Sequence, residues 1–368
     1  MSIRSRGAHR LEATLKEAIK RAVTPSPPPK YGLDPTISRF LMTLIRYEGK
    51  TFEVGAEESL LDSLNAQGAS IPSSCRSGLC QTCLMQARSG TPPESSQEGL
   101  LDALRLEHYF LACICYPTED LEVSLPGALR TVIAASVIRL ERLSETIRLV
   151  ALKPEVPMTF RAGQFIHLFH ETGISRNYSI AGIPSDDEIH LHVKRQPGGK
   201  VSGWIHESLE VNQRVSLSGP SGFSFYVPGQ FEQPLLLIGT GTGLAPLFGV
   251  LRDALSQGHK GPIKLFHGSR SSEGLYLVPE LKALADHYSH FEYRACVSGE
   301  ESPHPYERGR AHALAFQELS DLKGWRVFLS GHPGMVKEAQ MTAFLAGASL
   351  RDIRVDAFTF SQVASDER

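Results

Sequence analysis

At 368 residues, 41% hydrophobic and 21% charged, the chain is long enough for two or three domains with substantial cores. A net charge of −2 gives no electrostatic footprint for nucleic acid, and no apolar run approaches the roughly eighteen residues of a transmembrane helix. The basic N-terminus lacks the apolar stretch of a secretory signal, so a cytoplasmic protein is expected, with its six cysteines serving metal or catalysis rather than disulfides.

Residues 1–40 hold eight Lys/Arg against three Asp/Glu, with Leu11, Leu15, Ala18, Ile19 and Ala22 at helical spacing ahead of the Pro-rich TPSPPPKYGLDP. This predicts a helix followed by a stiff linker. Residues 41–128 carry twelve acidic side chains against five basic ones and every cysteine except Cys296. Residues 131–228 read as short alternating strands, such as EIHLHVKR, between Gly, Pro and Asn turns, which predicts an antiparallel barrel. From 233 to 360, the apolar strand PLLLIG runs into a glycine-rich turn and a helix, and strands then alternate with helices as in a parallel α/β sheet.

The stretch SSCRSGLCQTCL places Cys75, Cys80 and Cys83 within nine positions, and Cys113 comes after 29 intervening residues in YFLACICYPTEDLEV. The spacing C-x4-C-x2-C…C is that of a plant-type 2Fe-2S cluster, whose two irons take four thiolates, three of them wrapped on one loop. Gly78 lets that loop curl tightly. Zinc is the alternative metal, but zinc sites pair two C-x2-4-C knuckles, whereas the fourth cysteine here is solitary and distant. Cys115 is the rival fourth ligand; the spacing favours Cys113 and leaves Cys115, like Cys296, as a core thiol.

With these cysteines, CRSGLCQTC and LACICYPTEDLEV are similar to a plant-type ferredoxin domain, and the chain downstream of them resembles the flavin and nicotinamide modules of the ferredoxin-NADP reductase superfamily, the likeness covering roughly residues 41–360 in all. RNYSIAG has the R-x-Y-S form of that superfamily's flavin strand. The resemblance implies that Arg176 neutralises flavin phosphate, Tyr178 lies against the isoalloxazine or ribityl chain, and Ser179 hydrogen-bonds the N5 edge. Further on, Gly198, Gly199 and Ser202 open a helix whose N–H groups and dipole can hold a pyrophosphate, which points to FAD over FMN. The bland alternative is a Gly-Gly hairpin capped by Ser202.

In LLLIGTGTGLAPLFGVL, Gly239, Gly241 and Gly243 clear side chains from a turn that a phosphate or nicotinamide ribose must approach; this is not the G-x-G-x-x-G fingerprint. The segment is similar to the superfamily's nicotinamide loop. FLSGHPGMV resembles its C-G-P-P-x-M-V segment, with Ser330 in place of the cysteine and His332 in place of the first proline, so a hydroxyl fills the space of the thiol. In FHGSRSSEGLYL, Ser269 and Arg270 follow a strand end and could face the adenosine ribose, which leaves NADH and NADPH open.

The resemblance implies a multidomain α+β and α/β protein: an N-terminal helix and linker (1–40), a β-grasp ferredoxin domain (41–128), an antiparallel flavin-binding β-barrel (131–228) and a doubly wound parallel α/β nucleotide domain (233–360). It implies a reductase that passes electrons from NAD(P)H through FAD to the 2Fe-2S cluster and on to an oxygenase, hydroxylase or desaturase. A reductase of sugar deoxygenation shares this module order. A non-enzymatic cluster- or zinc-bearing binding module is the reading from another class.

Overall fold

Three sheets succeed one another among the described residues, which in this computed structural model are 42–73, 76–78, 81–126, 132–299 and 304–358. The expected N-terminal helix and linker, and Cys75 and Cys80, lie outside the described residues. The first sheet comprises β1 (Met42–Tyr47), β2 (Lys50–Gly55), β3 (Leu84–Ser89), β4 (Tyr109–Leu111) and β5 (Leu121–Ser124), in the order β2-β1-β5-β3-β4. Strict alternation in MTLIRY buries Thr43, Ile45 and Tyr47 on one face. Helix α1 (Leu60–Ala66) begins where the Ser59 hydroxyl accepts the Asp62 N–H, and it lays Leu60, Leu61 and Leu64 into the core beneath this mixed sheet. That is the expected β-grasp. A short helix, α2 (Asp102–Leu106), leads into β4.

The second sheet is antiparallel throughout, with strands β6 (Ile133–Arg142), β7 (Ile147–Pro154), β8 (Phe165–Phe169), β9 (Ser175–Ser179), β10 (Ile189–Lys194) and β11 (Arg214–Ser221). Its order is β10-β7-β6-β11-β8-β9, and an antiparallel bridge from Ile180 to Leu191 joins the two ends into a barrel. Helix α3 (Lys200–Glu207) seals the barrel with Val201 and Ile205.

The third sheet is parallel: β12 (Leu235–Thr240), β13 (Ile263–Ser269), β14 (Phe291–Val297), β15 (Glu307–Arg308), β16 (Arg326–Gly331) and β17 (Ile353–Ala357), in the order β15-β14-β13-β12-β16-β17. Helices α4 (Leu244–Ser256), α5 (Val278–His287), α6 (Ala311–Glu318) and α7 (Pro333–Leu345) connect its strands. Leu235 to Gly239 are all buried because a central parallel strand is covered on both faces, which explains the unbroken apolar run. The strand order reverses between β12 and β16, and in open α/β sheets ligands bind at the carboxyl ends of the strands beside such a point.

Barrel and parallel sheet are locked together. Arg252 on α4 grips both carboxylate oxygens of Asp186 in the barrel, at 2.8 and 2.7 Å. Burial pushes the Asp186 carboxyl up, but Arg252, the Ile183 N–H and His190 outweigh it and hold the group below its ordinary value. No helix among the described residues is long and apolar enough to cross a membrane.

Candidate functional site

Antiparallel pairing brings two of the four predicted cluster ligands together. Cys83 immediately precedes β3 and Cys113 lies in the 3-10 turn after β4; Leu84 pairs with Leu111, and the Ala112 N–H donates to the Cys83 carbonyl at 3.1 Å. Both cysteines are buried. The loop before them is tightly wound: Arg76, Gly78 and Gln81 all have left-handed backbones, and a Cβ on Gly78 would come within 2.8 Å of Ile114, beside Cys113. Left-handed conformation at Arg and Gln is strained and typical of loops built around a ligand. An ion pair from Arg76 to Asp62 on α1 pins this loop.

The described residues hold no group of three or more metal-ligating side chains, because Cys75 and Cys80 fall outside them. Cys115 is fully buried. Burial pushes its thiol up to about 12, against the opposing Ser96 hydroxyl, as for a thiol packed in the core. The cradle therefore suits a cluster held through Cys83 and Cys113.

The strand expected to meet the flavin is β9, at the end of the hydrogen-bonded strand order, paired to β8 with Leu168 opposite Arg176 and Phe165 opposite Ser179. Arg176 is exposed, with one guanidinium nitrogen donating to the Ser175 carbonyl at 2.7 Å. Tyr178 packs against the barrel core, and burial pushes its phenol up, with Arg176 opposing. A cleft of about 570 Å³ opens at the start of α3, lined by Gln196, Gly198, Gly199, Lys200 and Trp204 among others. Gly198 has a left-handed backbone and nothing within 4 Å of the position a Cβ would take.

Helix α3 begins at Lys200, ahead of Ser202. The Ser202 hydroxyl is committed to its own turn: it accepts the Gln196 N–H at 3.1 Å and donates to the Gly199 carbonyl at 3.3 Å. Ser202 thus shapes the cleft, while the first N–H groups of α3 and the open Gly198 remain to face an anion.

The three glycines of the nicotinamide loop differ. A Cβ on Gly239 would strike Leu247, and one on Gly243 would run into the Ser330 carbonyl and the Gly331 backbone. Only Gly241, left-handed with φ 54°, faces open space, at the carboxyl end of β12. The Thr240 hydroxyl accepts the His332 N–H at 3.0 Å, and the His332 ring accepts the Gly334 N–H at 3.1 Å to cap α7. Histidine in the proline position is thus a helix cap. Ser269 ends β13 and Arg270 is exposed just beyond it; their carbonyls accept the Ser298 and Gly299 N–H groups at 3.0 and 2.8 Å.

One residue that the sequence patterns did not single out joins these parts. Asp356 on β17 stands opposite Ser330 in the parallel ladder, and its carboxylate accepts the Ser179 hydroxyl at 2.8 Å. Burial raises the Asp356 carboxyl, while the Ser179 and Ser330 hydroxyls act to lower it; the Ser330 hydroxyl does so from beyond normal hydrogen-bond geometry and is otherwise an unpartnered buried group. Flavin strand, nicotinamide segment and last strand therefore converge within one hydrogen-bonding neighbourhood. A buried unpartnered hydroxyl beside a carboxylate fits a polar ring edge that supplies the missing partner.

Family comparisons agree with this arrangement. Residues 45–118 match a 2Fe-2S iron-sulfur cluster binding domain, 134–226 an oxidoreductase FAD-binding domain and 237–341 an oxidoreductase NAD-binding domain. The reductase component of the naphthalene 1,2-dioxygenase system of Pseudomonas putida is 31% identical over 86% of this chain and 98% of its own length. The chain belongs to the single-chain ferredoxin–NAD(P) reductases. A second relative of this reductase, the reductase subunit of an Amycolatopsis aromatic O-demethylase, is 33% identical over 80% of the chain and 92% of its own. Among solved structures, an Amycolatopsis cytochrome P450 reductase superposes with a TM-score of 0.59 at 29% identity, over 86% of this chain and 98% of that one. This protein is accordingly an NAD(P)H-dependent flavin iron-sulfur oxidoreductase that uses FAD and a 2Fe-2S cluster for electron transfer.

Proposed function

We propose that this reductase works in the cytoplasm and delivers its electrons to the oxygenase component of an oxygenation system; its relatives are named as the reductase component of a dioxygenase system and the reductase subunit of an aromatic O-demethylase. When bound, FAD would accept a hydride from NAD(P)H and divide its electron pair, and the 2Fe-2S cluster would release electrons singly. Cys75, Cys80, Cys83 and Cys113 hold the cluster. Arg176, Gly198, Gly199 and the start of α3 meet the FAD phosphates, and Tyr178 lies along the ring. Gly241 admits the nicotinamide end of NAD(P)H, Gly239 and Gly243 hold its loop against β16, and Ser269 and Arg270 face the adenosine ribose.

The observation that carries the assignment of Ser179 and Ser330 is the 2.8 Å bond from Ser179 to Asp356. With its proton donated to Asp356, the Ser179 hydroxyl keeps acceptor capacity for a further donor. Ser179 thereby accepts from an N–H at the ring edge, and Ser330 fills the wall on the nicotinamide side.

The electron route is tested by comparing the whole protein with a variant lacking residues 1–131. Both should reduce ferricyanide with NAD(P)H, and only the whole protein should reduce the oxygenase component or cytochrome c. Equal reduction of the oxygenase component by the shortened chain would show that electrons leave from the flavin.

A further inference from the structure

One short segment of the ferredoxin module makes three contacts with the rest of the protein. Asp102, at the start of α2, lies 2.6 Å from Arg326 on β16 and also pairs with Arg354 on β17. Both arginine side chains are almost fully buried, at 5% and 3% exposure, and the other carboxylate facing Arg326 is Asp352, at 3.1 Å. Burial lowers Arg354, with Asp102 acting against it. Just past α2, Glu107 pairs with Arg161 of the flavin barrel at 2.8 Å, and Arg161 lies over the Phe225 ring. The Tyr109 ring meets Phe223 of the barrel edge-on, with centroids 5.4 Å apart.

This segment leads directly to the cluster. Gln97 holds its backbone, donating to the Tyr109 carbonyl at 2.8 Å, and β4 then runs straight from Tyr109 to the turn that bears Cys113. In the described part of the cluster loop, the Arg76–Asp62 pair is more than half exposed.

We propose that residues 102–109 form a three-point clamp that docks the ferredoxin module across the flavin barrel and the parallel sheet, with Asp102 as the positioning residue for electron passage from flavin to cluster. The proposal rests on the modular route above. The step served moves one electron from the reduced flavin to the oxidised cluster, and no bond forms or breaks. The reason Asp102 matters is charge: without it two buried guanidiniums share Asp352 alone, and an uncompensated buried charge strongly disfavours the docked state. The external acceptor is left a different face of the module, the one carrying the cluster loop and α1.

The test uses the loaded full-length protein and two independent readouts, small-angle X-ray scattering and anaerobic stopped-flow bleaching by NAD(P)H. The wild type should scatter as a compact particle at low and high salt, because buried pairs are screened little. Asp102→Asn should expand and slow cluster bleaching by at least about tenfold, as the docked population falls, while flavin bleaching keeps its rate. Asp102→Glu should recover both readouts. The milder Glu107→Gln, which leaves both buried arginines paired, should slow the cluster phase several-fold. Unchanged scattering and an unchanged cluster phase in Asp102→Asn would overturn the clamp. A wild-type cluster that NAD(P)H never bleaches would instead overturn the electron route, and scattering would still report on docking.

Discussion

Gly243→Ala puts the nicotinamide loop to a direct test. The residue has φ −59° and ψ −16°, which alanine adopts freely, so the perturbation is steric. An added Cβ would sit 2.8 Å from the Gly331 Cα and closer still to the Ser330 carbonyl, where ordinary contact begins near 3.4 Å. The obstacles are backbone atoms of β16, which cannot rotate away. The loop and β16 must therefore separate by about half an ångström or more. Overpacking of this kind costs about 1–3 kcal/mol, and the helix propensity of alanine offsets about 1 kcal/mol at most. The displacement falls between Gly241 and Ser330, so binding of NAD(P)H should suffer. We expect a thermal midpoint lowered by a few degrees and a KM for NAD(P)H raised by about tenfold in ferricyanide reduction, the equivalent of about 1.4 kcal/mol. If midpoint and KM both match the wild type, the close approach of loop and strand is not what shapes the site.

Cys113→Ser should abolish or strongly shift the visible iron-sulfur bands, whereas Cys115→Ser should leave them intact, since the spacing favours Cys113 and Cys115 is fully buried in the core; the opposite pattern in absorbance would exchange the two assignments. For Asp356, the folded carboxyl is raised by burial above its ordinary value, so its contribution to stability is full at pH below that value and is lost as pH rises through the folded pKa. Asp356→Asn should therefore raise the thermal midpoint at neutral pH while slowing flavin bleaching by NAD(P)H, and a variant that is less stable and equally fast would refute both halves.

Local patterns made much of this legible in the sequence. The unbroken apolar run of β12 and the alternation in β10 each arise from one element's own geometry. Asp356 was not legible, because only the parallel register of β16 and β17 places it opposite Ser330, 26 positions earlier in the chain. The same holds for Asp102 and its arginines, whose meeting depends on how modules pack. Ser202 is legible as part of a helix start, but the bond from the Gln196 N–H to its hydroxyl depends on the backbone path of the turn. The loop glycines looked equivalent in sequence, and only the distance to β16 separates Gly243, which packs, from Gly241, which faces open space.

The last strand explains how three modules share one alignment. Side chains two apart on a strand point to the same face, about 7 Å from each other. On β17, Arg354 reaches the ferredoxin module through Asp102, and Asp356 reaches the flavin strand through Ser179, while Ile353 on the opposite face packs into the core with Val336 and Ala339 of α7. A strand fixed in a parallel ladder from Val327–Ile353 to Gly331–Ala357 has little freedom to shift one of these contacts without the other. The separation between the Ser179 contact and the Asp102 contact is thus set by the pleat of a single strand.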